Sequence, residues 1–262
     1  MGPEGVHPDL RDVLRKSNID LSKITGKTAG VEVMNGYWYK YQHAAITTDC
    51  VIFGYEKNKL YVLLIERGIE PFKGSWAFPG GFMRMDESAD ECARRELLEE
   101  TGFKTSFIEQ FHTFSSIDRD PRERVITISY FALVQKTDVI GGDDAADARW
   151  FPINDLPNLA FDHQEILSVA LRCLKEKIHF EPIGFELLPE VFTMTELRSL
   201  YEAILGVNFD RRNFARKIQN LGLLDEVDDG VVRTSHRIPI KYRFNKQKYD
   251  EMKEKHQFRL EF

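Results

Sequence analysis

Past residue 45 the chain alternates short apolar runs with polar breaks. Val51-Ile-Phe53 and Leu60-Tyr-Val-Leu-Leu-Ile65 are of strand length, and the polar Glu56-Lys-Asn-Lys59 between them predicts a β-hairpin. Further strands are predicted around Phe107 to Phe114, over Val125 to Val134 and around Arg149 to Phe151. Helices interrupt this pattern. Ser88 and Glu91 form a capping box, so a helix starts near Ala89, and Gly102 is placed to end it in a left-handed conformation. Ile166, Leu167, Ala170, Leu171 and Leu174 recur at helical spacing between Gln164 and Ile178, which predicts an amphipathic helix. Strands, a helix and more strands imply an α+β fold, a mixed sheet sandwiched by helices.

After Pro182 the organisation changes. Thr193 and Glu196 form a second capping box; Leu197, Leu200, Tyr201, Ile204 and Leu205 follow at helical spacing, and Gly206 ends the helix. Asp210 caps another helix, with Phe214 and Ile218 inward and Gly222 closing it. Leu223 to Val227, an Asp229-Gly230 turn, Val231-Val232 and the alternating Ile240 to Phe244 read as a β-wing. Helix, short turn, helix and wing is the order of a winged helix-turn-helix. The expected divisions are an N-terminal extension at 1–43, a sheet domain at 44–180, a winged helix at 181–250 and a tail at 251–262. Within the extension, Pro8 to Leu14 has the pattern of a short helix, and Trp38, Tyr39 and Tyr41 form an aromatic cluster suited to the core or to a partner chain.

Composition narrows the function. The net charge of the 262 residues is −6, which gives no global pull toward nucleic acid or acidic membrane. The balance is uneven: from Pro182 onward 14 Lys/Arg stand against 13 Asp/Glu, so the acidity lies in the front part. Cys50, Cys92 and Cys173 are far apart and odd in number, which predicts neither a zinc site nor a disulfide framework. No signal-peptide core or membrane-length apolar run is present, and a reducing cytoplasm is the expected compartment.

The candidate chemistry sits on the first helix. Glu96, Glu99 and Glu100, three and four residues apart, fall on one helical face, where like charges repel. A hard divalent cation, Mg2+ or Mn2+, resolves that conflict and can polarise a phosphoryl oxygen. Gly81, Glu87, Arg95, Glu96, Leu97, Glu99, Glu100, Gly102 and Phe103 together fill every defined position of a long pattern. That pattern resembles the Nudix box of hydrolases acting on nucleoside diphosphates linked to a further group. The resemblance implies Glu96, Glu99 and Glu100 as metal ligands, with Glu99 as the alternative water-orienting group. It also implies Arg95 paired with Glu87, Gly81 letting the backbone approach the metal, and a general base from the loop holding Asp143 and Asp144. Arg67, Arg119 and Arg124 are candidates for phosphate or ribose contacts, although each alone reads as an ordinary surface or structural arginine. His163 reads either as a ligand contact or as satisfying a backbone carbonyl near the domain junction, and the structural role is the favoured one.

The second helix after Pro182 carries Arg211, Arg212, Asn213, Arg216 and Lys217, side chains suited to base edges and phosphates. Arg233, His236 and Arg237 fall on the wing. The other reading is the charged outer face of a dimerisation or substrate-capping unit. Phe161-Asp-His163, Phe185-Glu-Leu-Leu-Pro189, Leu200 to Gly206, Asp210 to Lys217 and Asp118-Arg-Asp-Pro-Arg122 resemble the Nudix-related transcriptional regulators. That family implies a Nudix sensor fused to a winged helix, homodimers on double-stranded DNA, and a response to ADP-ribose or, in other members, to sugars. In several such regulators the box has decayed and only binding survives, whereas this box is whole, so turnover is expected. Three functions follow: a regulator that senses and hydrolyses ADP-ribose or a similar nucleoside diphosphate derivative, a plain hydrolase with a dimerisation domain, and a sugar-responsive regulator without turnover.

Overall fold

A computed structural model describes residues 43–105, 107–137, 145–228 and 239–255. The expected hairpin forms from β1 (Ala45–Glu56) and β2 (Lys59–Arg67), paired from Ile52↔Leu63 to Glu56↔Lys59. Its two-residue turn has Lys57 and Asn58 both at positive φ, +48° and +62°, the mirror-image turn whose twist suits a hairpin. β3 (Trp76–Ala77), β4 (Gly80–Phe82), β5 (Ile108–Phe114), β6 (Val125–Leu133) and β7 (Ala145–Pro152) complete a seven-stranded mixed sheet. β1 lies at its centre, antiparallel to β2 and β4 and parallel to β6. It is buried from Thr47 through Gly54, as a strand covered on both faces must be.

The alternation of β1 divides the core. Cys50 and Ile52 face α1 (Ala89–Thr101), where they meet Ala93 and Leu97. Val51 and Phe53 face the other side and meet Ile166, Leu167, Ala170 and Leu174 of α2 (His163–Phe180). α1 has the expected capping box, and Gly102 takes φ +72° at its end.

β8 (Val191–Thr193), α3 (Met194–Leu205), α4 (Arg211–Asn220), β9 (Leu224–Glu226) and β10 (Lys241–Phe244) follow in winged-helix order, with the three strands in one antiparallel sheet. The capping box at Thr193 and Glu196 and the Asp210 cap both form. α5 (Lys246–Glu254), capped by Asn245, was not expected and runs across the predicted boundary at 250. The sheet and the winged-helix elements share one core. Leu197, Leu200, Tyr201, Ile204, Phe214 and Ile218 lie in the same buried cluster as Val51, Phe53 and the α2 residues. The predicted N-terminal helix and aromatic cluster, and the Asp229-Gly230 turn, lie outside the described residues.

Candidate active site and nucleic-acid face

A cavity of about 260 Å³ opens over one end of β1 and β4. The Nudix-box helix forms one wall. Glu96 and Glu100 line the cavity, but Glu99 does not. Of the three carboxylates expected on one face, Glu96 and Glu99 share Arg95 while Glu100 takes the Gly80 amide, and among the described residues no compact group of three potential metal ligands forms. Glu99 is turned aside, with its side chain 49% exposed, to Arg95 at 2.9 Å and Arg84 at 3.6 Å. Glu100 Oε2 accepts from the Gly80 amide at 2.8 Å. Glu96 accepts from Arg95 Nη1 at 2.6 Å, and burial lifts its carboxyl above the usual range against the pull of that arginine.

Arg95 is the organiser of this wall. It also holds Glu87 at 2.5 and 2.8 Å, and these bonds draw the Glu87 carboxyl down to about 2. Gly81 is required by close approach: a Cβ there would fall inside contact with the Glu96 carboxylate. Glycine at that point and two acidic oxygen donors at the wall suit a hard, oxygen-preferring cation.

The rest of the lining is basic and aromatic. Arg67, Arg119 and Arg122 line it with Phe82 and Phe161. The Arg67 guanidinium lies 4.8 Å over the Phe161 ring, and Arg122 lies 5.2 Å from Phe82 and 5.8 Å from Phe161. Burial, reinforced by the Arg122 charge, lowers the Arg67 pKa. Arg122 is held by Asp120 at 2.7 and 3.0 Å. Arg119 is buried, paired to both oxygens of Asp162 and 3.4 Å from Asp49. Arg124 does not belong here: it is exposed and donates to the Ser116 carbonyl at 3.0 Å. The Arg124 carbonyl accepts from the Ala45 amide at 2.9 Å and its side chain turns to Ser116, whereas Arg122, two residues earlier, faces Phe82 and Phe161 in the cavity. The Asp118 to Arg122 motif was visible in sequence, but Arg122 and the acids Asp49, Asp120 and Asp162 were missed.

His163 satisfies a backbone group, as its structural reading requires, but the partner is an amide donor and not the expected carbonyl, and the residue also lines the cavity. Its Nδ1 accepts from the Phe78 amide at 2.9 Å, its ring stacks on Phe78, and Nε2 lies 3.6 Å from Asp49. Burial holds its pKa below the ordinary value, so the imidazole is neutral with Nε2 as the donor.

On α4, Phe214 and Ile218 point inward, while Arg211, Arg212, Asn213, Arg216 and Lys217 are exposed. Arg216 donates to Asn213 Oδ1 at 2.9 Å. The result is a cationic helix face anchored by two apolar side chains. Asp143, Asp144, Arg233, His236 and Arg237 lie outside the described residues.

Comparison with known proteins agrees with this division. The NUDIX domain family model matches residues 44–171, and the model of the NrtR DNA-binding winged helix domain matches residues 184–244. The ADPR responsive transcriptional repressor NtrR of Acinetobacter baylyi is 34% identical over 215 residues, which cover 80% of this chain and 86% of that protein. An ADP-ribose pyrophosphatase of Methanocaldococcus jannaschii is 42% identical over 132 residues, 50% of this chain and 76% of that protein. The crystal structure of Shewanella oneidensis NrtR complexed with a 27mer DNA superposes with a TM-score of 0.68 at 32% identity, covering 78% of this chain and 95% of that one.

Proposed function

Because this chain belongs to the family of NrtR-type regulators, in which a Nudix domain is fused to a winged helix, we propose that it is an ADP-ribose-responsive transcriptional repressor that also hydrolyses its ligand. The observation that carries this reading is one continuous core. It joins the sheet beneath the arginine-lined cavity to the inner face of the cationic helix α4. A ligand that moves the first can therefore bias the second.

Arg67, Arg119 and Arg122 are suited to a diphosphate, since guanidinium groups donate in paired geometry to phosphoryl oxygens. Phe82 and Phe161, already faced by arginines, offer ring surfaces for a base or ribose. Glu96 and Glu100 would hold Mg2+ or Mn2+, and a cation bound there would supply Lewis-acid polarisation of the diphosphate. Arg95 keeps Glu96 in place while Gly81 leaves room for its carboxylate. Addition of water to ADP-ribose then gives AMP and ribose 5-phosphate. The exposed residues of α4 read DNA, and a homodimer presents two such helices to a two-fold-symmetric site. The Nudix unit spans 44–180 and the winged helix begins at 181. No described helix is long and apolar enough to cross a membrane, and the proposed setting is the cytoplasm.

Hydrolysis is tested by following AMP release from ADP-ribose with Mg2+. Glu100→Gln keeps an oxygen for the Gly80 amide but loses the charge. It is expected to abolish turnover while the far-ultraviolet circular dichroism stays that of wild type. Turnover unchanged in this variant refutes the catalytic assignment.

A further inference from the structure

Asp162 occupies the N-cap position of α2, yet its side chain makes no cap hydrogen bond. Both of its oxygens are taken instead by Arg119, with Nε at 2.9 Å and Nη2 at 2.8 Å. An N-cap aspartate ordinarily accepts from amides of the first helical turn, where the helix dipole favours its charge. One carboxylate therefore has two uses and serves one at a time.

The other member of the pair belongs to the cavity. Arg119 lines it, although its side chain is only 4% exposed. The paired donors that Arg119 gives Asp162 are the same donors a guanidinium gives a phosphate. A diphosphate in the cavity competes with Asp162 for them.

The backbone beside Asp162 is also poised. Phe161 has φ +53°, a left-handed conformation that bulky residues rarely adopt. It is held by Phe72, edge-on at 4.7 Å, and by Arg67, which is itself part of the cavity wall. Downstream, Ile166, Leu167 and Ala170 of α2 share the buried cluster with Leu197 and Leu200 of α3 and Phe214 of α4.

We infer that Asp162 is the positioning residue through which an anion in the cavity acts on the winged helix. Ligand phosphate draws Arg119 away from Asp162, the freed carboxylate turns to cap α2, and the displaced start of α2 passes the change to α3 and α4 through their common core. This rests on the reading above, in which a diphosphate ligand governs DNA binding.

The test uses the full chain, ADP-ribose, and a duplex selected on the protein from a random pool. Fluorescence anisotropy gives the DNA dissociation constant with and without ADP-ribose, and calorimetry gives ADP-ribose affinity. Coupling of ordinary size changes the wild-type DNA constant by about 5- to 150-fold. Asp162→Asn keeps a cap acceptor and loses the charge that holds Arg119. In this variant the change is expected to shrink to about two-fold or less, with DNA by reciprocity altering ADP-ribose affinity as little, while ADP-ribose binds as tightly as to wild type or more tightly because the Asp162 carboxylate no longer competes for Arg119. Asp162→Ser can also cap without pairing, and it decides the matter if the first variant does not fold. Amide exchange supplies a readout independent of DNA: ADP-ribose is expected to protect the amides of residues 163–166 in wild type, and Asp162→Asn to show that protection without ligand. A wild-type response that survives in the variants overturns the inference alone. A wild-type DNA affinity indifferent to ADP-ribose refutes the regulatory reading and the inference with it.

Discussion

Replacing Gly81 with alanine separates the site's chemistry from its stability. Gly81 does not have the positive φ that would itself exclude a side chain, so only space is at issue. The added Cβ would stand 2.8 Å from Glu96 Oε2 and closer still to the rest of that carboxylate. Ordinary contact requires about 3.4 Å or more, so Glu96 must withdraw by roughly 1 Å, and displacement on that scale at a reacting centre costs about 100-fold in rate. That factor corresponds to about 2.7 kcal/mol of lost transition-state stabilisation. The fold should be little affected, because the obstructed group is the end of a flexible side chain. Gly80→Ala is the contrast: its Cβ would meet the Thr48 carbonyl and Asp49 Cα, backbone atoms of the central strand. Overpacking there costs about 1–3 kcal/mol of stability. The assay pairs Mg2+-dependent AMP release with urea unfolding. Gly81→Ala with turnover within about two-fold of wild type, far from the expected 100-fold loss, refutes the assignment of Glu96 to the catalytic wall.

Other outcomes follow from the same geometry. Arg212→Ala should weaken binding to a selected duplex by about 1–3 kcal/mol, roughly 5- to 150-fold, without changing hydrolysis; loss of both activities would contradict separate roles. Leu200→Ala, at a fully buried position of the shared core, should cost about 2–5 kcal/mol. Fluorescence and circular dichroism should still report one coincident transition in urea, and two separated transitions would contradict a common core. Burial lowers the His163 pKa in the folded chain, whereas an unfolded histidine titrates near 6.5. The unfolded state therefore binds more protons below that value, so stability is full above about pH 6.5 and declines as pH falls. His163→Gln should remove this part of the slope in chemical unfolding below about pH 6.5, and an unchanged slope would show that other groups cause it.

Local signals were legible in the sequence, and distant pairings were not. The hairpin, the α1 cap at Ser88 and Glu91 and the Gly102 stop each depend on residues within a few positions of one another, so spacing alone expresses them. The pairing of Arg119 with Asp162 spans 43 positions, and nothing in either neighbourhood announces it. Helical spacing placed Glu99 beside Glu96 and Glu100 correctly, but it could not show that Arg84 and Arg95 draw Glu99 out of the cavity. The Asp118 to Arg122 motif was visible, yet which arginine faces the cavity depends on its partners, Asp120 holding Arg122 and the Ser116 carbonyl drawing Arg124 away. The shared core escaped because hydrophobic spacing shows that a helix has a buried face and not what covers it.

Control of DNA binding by ADP-ribose is decided by selecting bound sequences from a random duplex pool at near-physiological salt, with and without ADP-ribose. A two-fold-symmetric site should be enriched without ligand and released when ADP-ribose is present. No enrichment in either condition, or enrichment indifferent to ADP-ribose, would contradict such control.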